Sequence, residues 1–464
     1  MLGVLPIVDH DKTPKHTIFV AIDGGRYDYL ERVSTPHIDS LIENGVSYRN
    51  AVAGTCIAGT NPGLATLSTG LFVKDHGICS SYEWYDKASG ELVYFYDAER
   101  DILHLDAQTL GDSLKRENPR AKVAAISTKD RHALLLAGKQ ADIIVYSYRE
   151  SVFKRDVMGA YTGAGVSADQ YSWQERVNYS LPPYLKDSKQ VRNIHWKGRD
   201  FKHTAVDVAD TSLIDEFIMD SALKVLDNEK PDLFFIGLVS PNITAHAYGI
   251  YSAELEDSVE VVDTQIWRLV EKLKEMGWFE DTLIVIAADH GMSERPIGVD
   301  VITSLKNGGH RDIVGNIVNL SSGGTGGFYL DDTSSFIVGK TIWALKEIDH
   351  VKEAWYTRDA KAPWYVRRFA HERSPDIVII PDFDSVILDE GKEAPTFPVY
   401  HGPPYPPDLS IWVIFSGAGV KRIGKVGEML DFSSKELISE GGIETLPEQV
   451  DVAPTIKAIW GIEQ

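Results

Sequence analysis

An α/β sandwich around a mostly parallel sheet is the fold this chain predicts, and three observations predict it. Four short apolar runs, at 16–22, 123–127, 233–239 and 282–288, are continuous rather than alternating, as strands buried on both faces are. Amphipathic helical patterns lie between them, at 214–226 with Ile214, Phe217, Ile218, Ala222, Val225 and Leu226 on one face, and at 259–274. Two of the runs stop abruptly in groups able to bind a ligand, Asp23 after the first and Asp289-His290 after the last. Open α/β sheets place their ligands outside the carboxyl ends of the strands, and adjacent Asp and His there can offer oxygen and nitrogen to one metal ion.

The composition sets the frame for those runs. With 464 residues, 43% hydrophobic and 25% charged, the chain is long enough for a large core and an inserted subdomain. A net charge of -21 excludes a nucleic acid polymer or an anionic membrane surface as partner, since either demands clustered Lys and Arg. Any anionic substrate therefore needs locally placed positive charge. Cys56 and Cys79 are too few for a disulfide framework. Residues 1–20 interrupt their apolar residues with Asp9, His10, Asp11 and Lys12, unlike a signal peptide, and no segment reaches the length of a membrane span. The expectation is a soluble, cytoplasmic protein, and a homodimer is compatible with it.

After Asp23-Gly24-Gly25, Thr35 and Pro36 start a helix, Thr as N-cap and Pro at the first helical position, with Ile38, Leu41 and Ile42 on one face until Gly45. The segment 54–71 opens small and Gly-rich, which lets a ligand approach the backbone, and runs as a helix from Pro62. Thr60 at that N-terminus sits where backbone N–H groups and the helix dipole favour an anion. N-cap and nucleophile are both open to it on sequence physics alone.

Taken together, Asp23-Gly24, Thr35-Pro36-His37-Ile38-Asp39, Thr60-Asn61-Pro62 with Thr69-Gly70-Leu71, His76-Gly77-Ile78 and Asp289-His290-Gly291-Met292 resemble the alkaline phosphatase superfamily. Within it they look like the branch of phosphonoacetate hydrolases and type I phosphodiesterases/nucleotide pyrophosphatases. Thr60-Asn61-Pro62, the stretch from His76 to Cys79 and Thr128-Lys129-Asp130 carry the narrower likeness to phosphonoacetate hydrolase. The matching motifs run from about residue 16 to the end of the chain. The resemblance implies an alkaline-phosphatase-like three-layer sandwich, with a catalytic core at 1–299 and 381–464 and an inserted cap at 300–380. It implies Thr60 as nucleophile, Asn61 as a substrate-binding residue and two divalent metal ions, zinc first, with manganese or iron as alternatives. Asp289, His290, Asp23 and the Thr60 oxygen would hold one metal; His246, His401 and Asn242 would hold the other, with Asp23 able to bridge.

Past His76 comes an aromatic stretch, 82–86, that is either packing or a substrate-facing wall. The run at 123–127 leads into Thr128-Lys129-Asp130-Arg131-His132. In phosphonoacetate hydrolases the positions resembling Lys129 and Arg131 hold the substrate carboxylate. Arg131 brings a fork suited to bidentate carboxylate or phosphate binding, so a larger anion is open. A solvated basic turn is an equally good reading of the residues alone. Aromatic residues scattered over 150–201, Tyr161 and Trp196 among them, suggest an excursion bordering a pocket.

The most informative departure follows the run at 233–239. Superfamily members carry Asp, three residues, then His; this chain has Asn242 and His246. An amide oxygen can ligate a hard cation but is neutral and binds zinc weakly. Altered metal preference, a functionally single metal, and impaired catalysis all remain open. The core is expected to resume with the apolar run at 375–381, followed by His401 and a last strand at 409–416. Three functions are thereby in competition: hydrolysis of a small carboxylate-bearing phosphonate, hydrolysis of a phosphodiester or nucleotide pyrophosphate, and anion binding without turnover.

Overall fold

The computed structural model describes residues 3–81, 83–97, 100, 102–147, 173–175 and 208–462. Tyr161 and Trp196 of the aromatic stretch lie outside these residues. Among the described residues a nine-stranded sheet organises the chain: β1 (His16–Ile22), β2 (Gly45–Tyr48), β3 (Val123–Ser127), β4 (Ile143–Ser147), β5 (Trp173–Glu175), β6 (Leu233–Leu238), β7 (Thr282–Ala288), β8 (Val413–Gly417) and β9 (Gly424–Val426). Their spatial order is β9-β2-β8-β7-β1-β6-β3-β4-β5. The central strands β7, β1, β6, β3 and β4 run parallel. β8 and β5 enter antiparallel.

The four central runs are strands for the reason that makes them legible. Every residue of β7 and β6, and all of β1 after His16, is buried. Each large aliphatic side chain so placed contributes about 1.5–3 kcal/mol over its exposed state. Helices Pro36–Glu43, Val208–Glu229, Ser240–Tyr248 and Ala253–Glu275 pack together on the sheet, and helices Thr60–Thr69, Leu110–Glu117, Asp130–Ala137 and Val452–Trp460 form a second group. Sheet and two helical groups make the three layers. No described helix is long and apolar enough to cross a membrane.

Three expectations are corrected. Thr35 occupies the N-cap position, but its hydroxyl makes no capping bond; the Asp263 carboxylate instead accepts from His37 N–H at 3.1 Å and Ile38 N–H at 2.8 Å. The last long strand begins at Val413 rather than Leu409, because Pro406 and Pro407, with fixed φ and no N–H, start a helical turn at Pro406–Leu409. The run ending at Pro381 does not return to the main sheet. Ile377–Pro381 lies in a four-stranded antiparallel sheet with Ile317–Ser321, Gly326–Leu330 and Val351–Tyr356. Its alternate residues serve two cores: Ile377 and Ile379 pack with Val301, Leu305 and Phe328, while Val378 and Ile380 pack with the main core. A strand buried on both faces reads the same whichever sheet it joins.

Candidate active site

Strand register brings the polar residues together. Ile22 stands opposite Ala288 on one side and Leu238 on the other, and Gly237 stands opposite Ser127. Four adjacent parallel strands therefore end in step. The residues that follow them, Asp289-His290, Asp23, the helix carrying Asn242 and His246, and Lys129, emerge along one edge of the sheet. Asp23, Asp289 and His290 are completely buried, and their ligand atoms all lie within 4.8 Å of one another.

Thr60 reaches this cluster from the other direction, as the first residue of helix Thr60–Thr69. Gly63 permits the approach: a Cβ there would lie 2.3 Å from the Asp289 carbonyl oxygen. Thr60 Oγ1 is 3.3 Å from His290 Nε2, which is itself 3.5 Å from Asp23 Oδ1 and 3.7 Å from Asp289 Oδ2. Asn61, beside it, is fully buried with neither amide atom hydrogen-bonded. The His401 ring stacks on His290 with centroids 3.6 Å apart, and His246 lies 5.5 Å from His401.

All three imidazoles are set in the same way. His290 Nδ1 lies 2.9 Å from the Gly291 carbonyl, His246 Nδ1 2.7 Å from that of Val399, and His401 Nδ1 2.8 Å from that of Ala58. A carbonyl only accepts, so each Nδ1 carries the proton and each Nε2 keeps a lone pair. Burial pushes His290 down to about 4 and His246 to about 3, and with His290 beside it pushes His401 well below the ordinary value. The rings are neutral donors.

The carboxylates carry the opposite imbalance. Burial opposes ionisation of Asp23, but the Lys129 ammonium, which attracts the carboxylate and hydrogen-bonds to it, outweighs burial and holds the group below the usual carboxylate range. Burial and the charge of Asp23 push Asp289 well above that range. Asp23 Oδ1, Asp289 Oδ2 and Asn242 Oδ1 are buried without hydrogen-bond partners. Unpaired buried acceptors cost about 1–3 kcal/mol each, and three of them beside three lone-pair nitrogens are a donor set that fits divalent cations.

Lys129 and Arg131 have different neighbours. The Lys129 ammonium sits 2.5 Å from Asp23 Oδ2. Arg131 is placed beside Tyr94, whose ionisation its charge influences, and Tyr94 belongs to the hairpin of Glu83–Asp86 and Glu91–Tyr94. Arg131, two residues on in the first turn of helix Asp130–Ala137, also acts by its charge on His132, which lies 3.6 Å from Asp23.

Two buried residues near the site escaped sequence reasoning. Asp215, from helix Val208–Glu229, accepts from the Val239 and Ser240 N–H groups at 2.8 and 3.2 Å and so fixes the turn that presents Asn242. His132 lies 3.6 Å from Asp23 through Nε2. A polar residue inside an apolar helix pattern gives no local cue. The small Gly237 inside an otherwise bulky strand was the available signal for the second.

The model of the type I phosphodiesterase/nucleotide pyrophosphatase family matches residues 17–404. The chain belongs to that family. Alkaline phosphatase PhoD of Zymomonas mobilis is 26% identical over 294 residues, covering 55% of this chain and 49% of that protein. The chain thus spans about half the length of this curated relative. Alkaline phosphatase PafA superposes with a TM-score of 0.75 at 18% identity, covering 97% of this chain and 96% of PafA. Phosphonoacetate hydrolase from Sinorhizobium meliloti, in complex with phosphonoacetate, gives 0.64 at 18% identity, covering 98% and 99%. Both likenesses establish the fold that the family member shares with them.

The family motif around His76 has a consequence for stability. His76 is fully buried; Ile78 N–H donates to its Nδ1 at 3.1 Å, and Nε2 lies 3.1 Å from Thr66 Oγ1. Burial, with His371 adding to it, pushes the ring down to about 3. Above the unfolded value of about 6.5 both states are neutral. Below it the unfolded chain takes a proton that the folded chain refuses, so stability is lost as pH falls from about 6.5 towards 3, by up to about 1.4 kcal/mol per pH unit. Urea midpoints of the parent should therefore fall more steeply between pH 7 and 5 than those of His76→Gln. Equal slopes would mean that the folded ring accepts the proton.

Proposed function

We propose that this chain is a metal-dependent hydrolase of a small anionic phosphorus compound, a phosphate monoester or a phosphonate such as phosphonoacetate, with Thr60 as nucleophile. The convergence of the Lys129 ammonium on Asp23, within the same donor cluster that Thr60 approaches, carries this reading. An extra fixed cation favours a substrate with two negative charges over a singly charged diester.

Asp23, Asp289, His290 and the Thr60 oxygen would hold one divalent ion, zinc for choice, and His246, His401 and Asn242 a second. Ions held there supply Lewis acidity, lowering the pKa of a bound hydroxyl and screening charge on the phosphoryl oxygens. In the first step Thr60 Oγ gives up its proton and forms a bond to phosphorus as the bond to the leaving group breaks, and the leaving oxygen or carbon takes up a proton. In the second, water cleaves the phosphothreonine, phosphate or its equivalent departs, and the hydroxyl is restored. One water is consumed overall. The Lys129 ammonium holds a substrate oxygen, and Asn61, with its amide unpartnered at the helix N-terminus, is placed to orient another.

Diester hydrolysis is the second reading, favoured by the family model itself. Rates on p-nitrophenyl phosphate, bis-p-nitrophenyl phosphate and phosphonoacetate separate the two. A kcat/KM at least about 10-fold higher for the monoester or the phosphonate than for the diester is expected, equivalent to about 1.4 kcal/mol of discrimination. The preference should collapse in Lys129→Ala. A diester preference would overturn the first reading, and no turnover at any metal loading would sink both.

A further inference from the structure

The reaction above leaves one buried polar side chain beside Asp23 without a task. His132 stands in the first turn of helix Asp130–Ala137, is 1% exposed, and has no hydrogen-bond partner at either ring nitrogen. Such a group is costly to keep and calls for a cause. Space for it is made by the sheet: a Cβ at Gly237 of β6 would lie 2.7 Å from His132 Cβ and 3.0 Å from its Cδ2. The neighbours Ile236 and Leu238 are large and fully buried.

The ring is aimed at an oxygen already in use. His132 Nε2 is 3.6 Å from Asp23 Oδ2, a few tenths of an ångström beyond hydrogen-bonding distance. Lys129 Nζ holds the same oxygen at 2.5 Å. Asp23 Oδ1 has no hydrogen-bond partner. One acceptor thus has two donors in waiting, and one of those, Lys129, is also the cation that a substrate anion would attract.

We propose that His132 is a positioning residue, whose Nε2–H takes over Asp23 Oδ2 when Lys129 turns to an anionic substrate. This rests on reading the site as a metal-dependent phosphoryl centre. A carboxylate that loses its lysine is free to rotate. An imidazole N–H at Oδ2 prevents the rotation and keeps Oδ1 directed at the metal position. The ring does this as a neutral tautomer, with its lone pair on Nδ1. Partners of this kind support a metal ligand's orientation, and their loss weakens metal binding about 10–100-fold.

The test is metal affinity measured with and without inorganic phosphate, by competition with a chelating fluorescent indicator. His132→Leu and His132→Ala both remove the donor, the second without adding bulk; His132→Gln keeps an N–H that can reach the position of Nε2. Without phosphate, Lys129 still holds Oδ2 and all three variants should bind zinc or manganese as the parent does. At saturating phosphate the leucine and alanine variants should lose about 10-fold in metal affinity, and the glutamine variant should recover most of it. Variants that match the parent under both conditions overturn the role of His132 and leave the metal site standing. Weakening that is independent of phosphate also overturns it, since packing alone would give that result. A parent that binds no divalent metal overturns the reading of the site and this proposal with it.

Discussion

Thr60→Ala should lose at least about 10³-fold in kcat, the order expected when the nucleophile of a covalent route is removed, and should keep its fold. The second half of this expectation follows from the helix. Gly59, not Thr60, occupies the N-cap position, and Thr60 is 5% exposed with its hydroxyl directed at His290 rather than at a backbone N–H. Alanine is the better helix former, so nothing in helix Thr60–Thr69 depends on the hydroxyl. Asp23, Asp289 and His290 remain, so metal content measured by mass spectrometry should change little. Thr60→Ser, which keeps an oxygen at the same position, should recover much of the rate. An alanine variant within about 10-fold of the parent, about 1.4 kcal/mol in barrier, would mean that water attacks phosphorus directly. Phosphate binding that persists in the alanine variant, with no turnover in the parent, would instead mark an anion-binding protein.

The parts of this site that were legible in the sequence are those that local rules govern. β1, β3 and β7 begin and end where their apolar runs do, because a parallel strand buried on both faces has no polar residue to blur its limits. Asp23 and Asp289 were legible because a carboxylate that interrupts such a run cannot stay inside the sheet. The remainder depends on residues far apart in the chain. The cap on helix Pro36–Glu43 comes from Asp263, 225 residues beyond Ile38. The turn bearing Asn242 is held by Asp215, and the tautomers of His246 and His401 are fixed by the carbonyls of Val399 and Ala58. None of these leaves a trace in spacing.

Asn242→Asp should convert a weakly held second metal into a firmly held one. The donors around Asp289 include two carboxylates, whereas His246, His401 and Asn242 are all neutral, so a divalent ion there has little compensating charge beyond what Asp23 shares. Lys129, paired to Asp23, reduces even that. After dialysis against zinc or manganese the parent should retain close to one equivalent and the variant two, with the second affinity raised at least about 10-fold, or 1.4 kcal/mol. The exchange is gentle on the fold: residue 242 lies in the first turn of helix Ser240–Tyr248, where a carboxylate is favoured by the dipole, and Asn242 Oδ1 has no partner to lose. Without metal, however, a third buried carboxylate would face Asp23 and Asp289. The variant should therefore be less stable than the parent in chelator and gain more in Tm on adding metal. A parent that already holds two equivalents would show that the amide oxygen, or a bridging Asp23, is ligand enough. One equivalent in both chains would place the weakness elsewhere, at the Lys129–Asp23 pair, where the ammonium competes with the metal for the same carboxylate.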